Sequence, residues 1–385
     1  MHRFASSSRR RSGWTVVLLA LSSWTVATHA DDALQAVAPF SEATVIQGTA
    51  RERGEDYGRK FSQAIREFYA SEIQQPFVGH PASQQELLDY SAQCAEIIRE
   101  ECPMIAEELN GIAAGSGLSL HEIVLINLHE ELYHRGPLPK HGHCTAVALA
   151  PSETGGPTLV GQTWDWMQSV AGKSSVLEWR REDGASVLAY GFPGMPFGAG
   201  MNEHGIALCW TSAALEIQGA SPRVGLPSYV LIAHLLAQPD LDSVIRVARR
   251  DRHAGWFTFV MADGQGNLVN IEGSPHGVAI ERSTTSVVRV GYGTPQMKGR
   301  FSTGAPARHP RCEKLCRLLE RSRGQNSQDM LQDYFADPTC EISVTKSTID
   351  MMIFNTTSRT AILSRGPDYS TAWREFRFAL QPKAD

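Results

Sequence analysis

Cys144 is the residue from which chemistry can first be argued. It lies in His141-Gly142-His143-Cys144-Thr145-Ala146, where a Gly/His-rich stretch runs into an apolar strand that opens with the thiol. A chain cut before Cys144 would begin with a residue carrying both a nucleophile and its own base. A free thiol titrates near ~8.5 and an α-amino group near ~7.7–8.0, so the amine can take the thiol proton at neutral pH. That is one way to activate a nucleophile for acyl transfer. Asp165, in Gly161-Gln162-Thr163-Trp164-Asp165-Trp166, stands between two tryptophans of a second apolar strand. An unpaired buried charge is very costly, so this carboxylate must be paired or hydrogen-bonded. The plainer readings are a buried, inert thiol and a carboxylate that caps backbone amides at a strand end.

Other constellations are weaker. Asn202, in Met201-Asn202-Glu203-His204-Gly205, could donate to an oxyanion. Asn is also favoured in such a turn simply for tolerating unusual backbone angles. His129-Glu130-Glu131-Leu132-Tyr133-His134 is a near miss for His-Glu-x-x-His. Its histidines are five apart, about 500° around a helix instead of about 400°, so they do not share a face. His141, His143 and Cys144 could supply part of a zinc site, but no second cluster with ligand spacing lies nearby. No metal or organic cofactor is expected. Asn355-Thr356-Thr357 matches a glycosylation sequon by pattern alone.

The elements that must position these residues divide in two. Residues 31–135 read as mostly helical. Tyr57, Phe61, Ile65 and Phe68-Tyr69 recur at helical spacing, and Gln84 to Leu109 continues in that style with a break at Pro103. Ser119-Leu120-His121-Glu122 has capping-box spacing, and His134 to His143 reads as a loop. From Cys144 the texture changes to short strands. Cys144–Ala150 and Thr158–Trp164 flank a Pro/Gly-rich loop. Asp183-Gly184 and Asp263-Gly264 mark hairpins, between Val176–Arg180 and Val187–Tyr190 and between Phe257–Met261 and Leu268–Ile271. Pro227–Gln238, Leu241–Arg249 and Pro310–Arg321 read as helices, Ile349–Asn355 and Thr360–Leu363 as strands. Helices bracketing many hairpins predict an α+β fold of antiparallel sheets covered by helices.

Composition sets the outer bounds. At 385 residues, with 42% hydrophobic and 20% charged residues, the chain can build a large core. Residues 1–30 read as an export signal: Arg3, Arg9, Arg10 and Arg11 precede an apolar run from Trp14 to Val26, with a small-residue cleavage site at Ala27-Thr28-His29-Ala30. The protein is therefore expected to be periplasmic or secreted, with no stable membrane span once the signal is removed. The formal charge is −5, and losing that arginine-rich leader makes the chain more acidic still, which argues against nucleic-acid binding through a basic face. Seven cysteines leave at least one unpaired, with Cys144 the candidate. Cys94 with Cys102, or Cys340 with another, could be bridged. Cys312 and Cys316, one helical turn apart, read as buried thiols.

The segments around Cys144 and Asp165 together resemble the isopenicillin N acyltransferase family of self-cleaving N-terminal nucleophile hydrolases. In that family a catalytic cysteine opens a Cys-Thr strand, and a Gly-Gln-Asn-Trp-Asp strand follows. Gly111-Ile112-Ala113-Ala114-Gly115-Ser116-Gly117, Met201-Asn202-Glu203-His204-Gly205-Ile206 and Gly225-Leu226-Pro227-Ser228 look like further family stretches. The resemblance runs from about Gly48 to Leu363 and implies a four-layer α-β-β-α sandwich. It also implies cleavage between His143 and Cys144, and an acidic partner at Asp165 that orients the Cys144 amino group or neighbouring amides. Thr163 and Thr211 stand where relatives carry Asn, and their hydroxyls are candidate donors to the substrate or oxyanion.

Three departures stand out. His143 replaces the family's glycine before the nucleophile. Val290-Gly291-Tyr292-Gly293-Thr294 lacks the family's oxyanion Asn, and Cys340-Glu341 replaces a late Cys-Arg pair. The expectation is an exported precursor in three parts: a signal peptide (1–30), a helical small subunit (31–143) and a catalytic large subunit (144–385). It would cleave or transfer the acyl group of a small amide through a thioester on Cys144, with its own N-terminal fragment as partner. The alternatives are a catalytically weak or inactive binding member of the fold, and a thiol hydrolase that acts without self-cleavage, using His141 or His143 as base.

Overall fold

The upstream helices meet through their main chains. A computed structural model describes residues 38–80, 84–132, 144–182, 184–213, 221–250, 252–297, 309–344, 347–365 and 372–379. The leader, the 134–143 loop and Asp183 lie outside these residues. After a short strand β1 (Thr44–Ile46) come α1 (Ala50–Lys60) and α2 (Ser62–Phe68), α2 passing into a π-helical turn over Tyr69–Gln74. Next are α3 (Gln84–Glu101), α4 (Pro103–Ser116), α5 (Leu120–Asn127) and α6 (His129–Leu132). The Ser119–Glu122 capping box is present at α5, and an unanticipated one, Thr49–Glu52, starts α1.

Gly54 and Gly58 of α1 face Gly111 and Gly115 of α4. A methyl group on Gly54 would come within 2.0 Å of the Glu108 carbonyl oxygen, and one on Gly111 within 2.2 Å of that of Arg51. Only glycine permits this approach, which explains the four-residue spacing of Gly111 and Gly115. Beside the contact, the Glu108 carboxylate accepts from Arg53, from Trp179 Nε1 and from Arg181, all buried.

Downstream the chain forms β2 (Thr145–Leu149), α7 (Pro151–Thr154), β3 (Leu159–Asp165), β4 (Ser175–Trp179), β5 (Val187–Phe192), β6 (Met195–Asn202) and β7 (Ala207–Thr211). Then follow α8 (Ser228–Leu236), α9 (Leu241–Ala248), β8 (Phe257–Ala262), β9 (Leu268–Ser274), β10 (Gly277–Ser283) and β11 (Ser286–Arg289). The last elements are α10 (Pro310–Arg321), α11 (Gln328–Ala336), β12 (Thr348–Asn355), β13 (Thr360–Arg365) and β14 (Arg374–Arg377). One sheet has eight strands in the order β1-β4-β5-β6-β7-β8-β9-β10, and the other six, in the order β11-β2-β3-β12-β13-β14. β1 pairs parallel with β4, so the upstream segment contributes a strand as well as helices.

Alternation along β2 and β3 assigns the layers, because successive side chains point to opposite faces. Val147, Leu149 and Leu159 face outward onto Leu315 and Leu319 of α10 and Leu331 and Phe335 of α11. Burying each of these leucines and the phenylalanine is worth about 1.5–3 kcal/mol. Ala146, Ala148, Val160 and Trp164 face inward and join the core shared with the larger sheet, α8, α9 and the upstream helices. Trp164 packs there against Tyr190, Phe192 and Trp210, with ring centroids 5.1, 5.6 and 5.9 Å away. The result is the expected four-layer α-β-β-α sandwich. No single helix among the described residues is long and apolar enough to cross a membrane.

Candidate active site

Cys144 immediately precedes β2 and is 6% exposed. Its thiol lies against the backbone of Asp165, whose N–H donates to Sγ at 3.4 Å and whose carbonyl accepts from it at 3.9 Å. The Cys144 carbonyl accepts from Thr211 Oγ1 at 2.8 Å, so the end of β7 in the larger sheet grips the residue just before β2 in the smaller. Thr211 Oγ1 in turn accepts from Gly291 N–H at 3.2 Å. Thr163, opposite Thr145 in the β2–β3 register, accepts from the Thr145 amide at 3.3 Å. Three sequence candidates, Cys144, Thr163 and Thr211, therefore meet at one junction.

Burial pushes the Cys144 thiol up to about 12, the Asp165 charge adds to this, and the Asp165 amide and Arg311 oppose it. At neutral pH the thiol of the intact chain is protonated, and a thiol is far less nucleophilic than a thiolate.

Asp165 departs from expectation in its partners. Its carboxylate accepts from Arg311 Nη1 at 2.7 Å and from Thr348 Oγ1 at 2.5 Å, and neither bond goes to Cys144. The reason is parity: Thr163 and Asp165 sit on the same outward face of β3 as Leu159, toward α10, whereas Trp164 points inward. Arg311 is carried in by the first turn of α10, where Pro310 starts the helix and His309 caps it. Burial raises the Asp165 carboxyl to about 6 even though Arg311 and Thr348 both pull it down.

Asn202 is not an oxyanion donor. Its amide donates to the carbonyls of Leu236 and Gln238, and its oxygen accepts from the amides of His204 and Ile206. All of its capacity goes to joining the β6–β7 turn to the end of α8. The structure draws no disulfide between Cys94 and Cys102 or to Cys340. His134, His141 and His143 lie outside the described residues.

The sequence departures have structural counterparts. The 290–294 segment does reach the site, through Gly291 and Thr211. Glu272 holds it, accepting from the amides of Gly293 and Thr294 and from the Thr294 hydroxyl. Glu341 forms an ion pair with Lys314 on the surface, and the arginine at the site is Arg311.

Sequence reasoning also missed the buried polar residues of α6. His129 packs edge-on against Trp166 at 4.9 Å. Glu130 takes a short hydrogen bond from Ser212, the residue after Thr211. Glu131 accepts from the amide and hydroxyl of Ser228 at 2.9 and 2.7 Å. Burial raises Glu130 to about 8 and Glu131 to about 7. Two consecutive glutamates in an otherwise apolar stretch were the available signal.

Two facing sheets flanked by helices, with a thiol opening a strand at their junction, define the N-terminal nucleophile hydrolase sandwich. Residues 152–367 match the acyl-coenzyme A:6-aminopenicillanic acid acyl-transferase family, and the chain belongs to it. The class of chemistry is thus amide hydrolysis or acyl transfer. The matched stretch starts beyond Cys144 and includes Asp165, Thr211, Arg311 and Thr348. Among solved structures the chain is similar to a mutant of the conjugated bile acid hydrolase from Clostridium perfringens, at 11% identity over 61% of this chain and 97% of that one, with a TM-score of 0.43. It is also similar to penicillin V acylase from Agrobacterium tumefaciens, at 11% identity over 60% of this chain and 90% of that one, with a TM-score of 0.41.

Proposed function

We propose that the protein is an exported, self-cleaving cysteine hydrolase of small acyl amides. The observation that carries this reading is the hold on Cys144. The thiol stands immediately before β2, with the Asp165 backbone on one side and its own carbonyl gripped by Thr211. Cleavage on its N-terminal side turns that fixed residue into a chain terminus whose amine can accept the thiol proton. The amide carbonyl of the substrate is then attacked by sulfur, the amine departs and water hydrolyses the thioester. Asp165 and Arg311 set the local charge from the other face of the sheet. Outside the cell water is the abundant acceptor, which favours hydrolysis over transfer.

The test is the intact mass of the purified protein before and after a thiol-reactive label, with sequencing of the larger fragment's amino terminus. The expected result is two associated fragments, the larger beginning at Cys144 and carrying one rapidly labelled thiol. A fully active, uncleaved chain overturns the reading.

A further inference from the structure

We propose that a cleft at the far end of the sandwich from Cys144 is a binding site for a phosphate or sulfate group. β12 runs from Thr348, paired with Asp165, to Asn355, paired with Leu159. The turn between β12 and β13 therefore lies at the opposite end of the smaller sheet from the thiol. Across from it stand Arg180 at the end of β4, Ser186 before β5 and Glu203 after β6, and the three elements and the turn bound a cleft of about 460 Å³. Arg180, Arg359 of the turn and Arg377 at the end of β14 all line it.

The two carboxylates of the lining are already engaged. Glu178 accepts from Arg180 Nε at 2.9 Å, and Glu203 accepts from the Ser186 amide at 2.9 Å. Arg377 pairs with Glu375, which lies outside the lining. Arg359 donates Nη1 to the Glu203 carbonyl at 3.0 Å, and among the described residues no carboxylate pairs with it. Three guanidinium groups against two carboxylates leave the cleft positive, in a chain whose formal charge is −5. A guanidinium presents its donors as a planar fork that fits two oxygens of a phosphate or sulfate at once. Each of the three arginines keeps nitrogens that bond nothing among the described residues.

The backbone of Arg359 is the second observation. Its φ is 57°, in the left-handed region where a turn ordinarily places Gly or Asn. An arginine there gives up backbone ease and keeps a guanidinium in the cleft. Residues held in sparsely populated backbone regions cluster at ligand sites.

The experiment titrates the purified protein, wild type and Arg359→Gly, with inorganic phosphate, sulfate and glycerol phosphate. Each is compared with sodium chloride of equal ionic strength, by calorimetry and by thermal shift. Glycine relaxes the left-handed position, so the variant should fold at least as well as the wild type, and lost binding is then not lost folding. The expected result is saturable binding by the wild type that chloride does not reproduce, weakened about tenfold or more in Arg359→Gly. Tighter binding of glycerol phosphate than of inorganic phosphate assigns the group to an organic ester, and the reverse order assigns it to the free ion. Should Arg359→Gly fail to fold, Arg377→Gln decides in its place, with the same loss expected. A wild type that shows no saturable binding overturns the proposal, and so does unchanged affinity in the folded variant.

Discussion

Arg311 and Asp165 lie 146 positions apart in the chain and 2.7 Å apart in the fold, a buried ion pair between the first turn of α10 and the end of β3. Both charges act on the Cys144 thiol, so a change on the outer layer is felt at the junction between the sheets. Removing Arg311 leaves the carboxylate without its cation, a loss of about 3–5 kcal/mol for a buried pair. The carboxyl can escape by taking a proton. Thermal unfolding should therefore show Arg311→Ala more destabilised at about pH 8 than at about pH 5, with much of the loss recovered by adding Asp165→Asn. Equal destabilisation at both pH values would mean the pair is not electrostatically coupled.

Cys144→Ala should abolish cleavage and amidase activity together. Cys144→Ser should retain slow cleavage with poor turnover, since proximity partly substitutes for the weaker nucleophile. Gel mobility and amide hydrolysis read the two effects separately, and full amidase activity in the alanine variant would move the chemistry to another residue.

Thr211→Val keeps the shape of the side chain and deletes the donor to the Cys144 carbonyl. One neutral hydrogen bond is worth about 1 kcal/mol, so activity should fall several-fold with little change in melting temperature. An unchanged rate would make this contact incidental.

Gly54→Ala and Gly111→Ala test the α1–α4 contact. In an isolated helix such a change stabilises by roughly 1 kcal/mol. Here the added methyl meets main-chain oxygen at 2.0 and 2.2 Å, and overpacking typically costs about 1–3 kcal/mol. A lower melting temperature is expected, whereas a higher one would show that the helices can part without penalty.

Stability should fall as pH rises. Burial raises Glu130 from 4.5 to about 8, Glu131 from 4.5 to about 7, and Asp165 and Asp350 each from 3.8 to about 6. Each binds its proton more tightly folded than unfolded. Its contribution is complete below the unfolded value and is lost as pH climbs through the folded one. Denaturant titrations should show the unfolding free energy declining from about pH 4 to about pH 8, and Glu130→Gln should flatten the upper part of that decline. A wild-type profile that rises over the range contradicts this.

Much of the architecture was legible because periodicity and turn chemistry are local. Pro310 and Gly-bounded hairpins marked their elements, and the α10 bounds agree with those read from sequence. Thr163 lies opposite Thr145 by strand pairing, but Thr211 comes from the other sheet, and both were singled out only because relatives carry Asn at those places. Partners set by packing between layers were not legible. Nothing near Asp165 in sequence points to Arg311, and nothing near Glu130 points to Ser212. Asn202 misled for the converse reason: a buried amide can spend every bond on backbone, and residue type alone does not reveal which. β6 was missed because its Gly198 and Gly200 dilute the apolar pattern.

β1 is three residues long and forms one margin of the larger sheet. So short a margin presents few open backbone groups and is a poor template for a second chain. Without the upstream segment the margin would become β4, whose five residues are mostly buried and apolar. Exposed strands of that kind recruit copies of themselves. The upstream segment thus covers an edge prone to aggregation, and residues 144–385 produced alone should be hard to keep in solution.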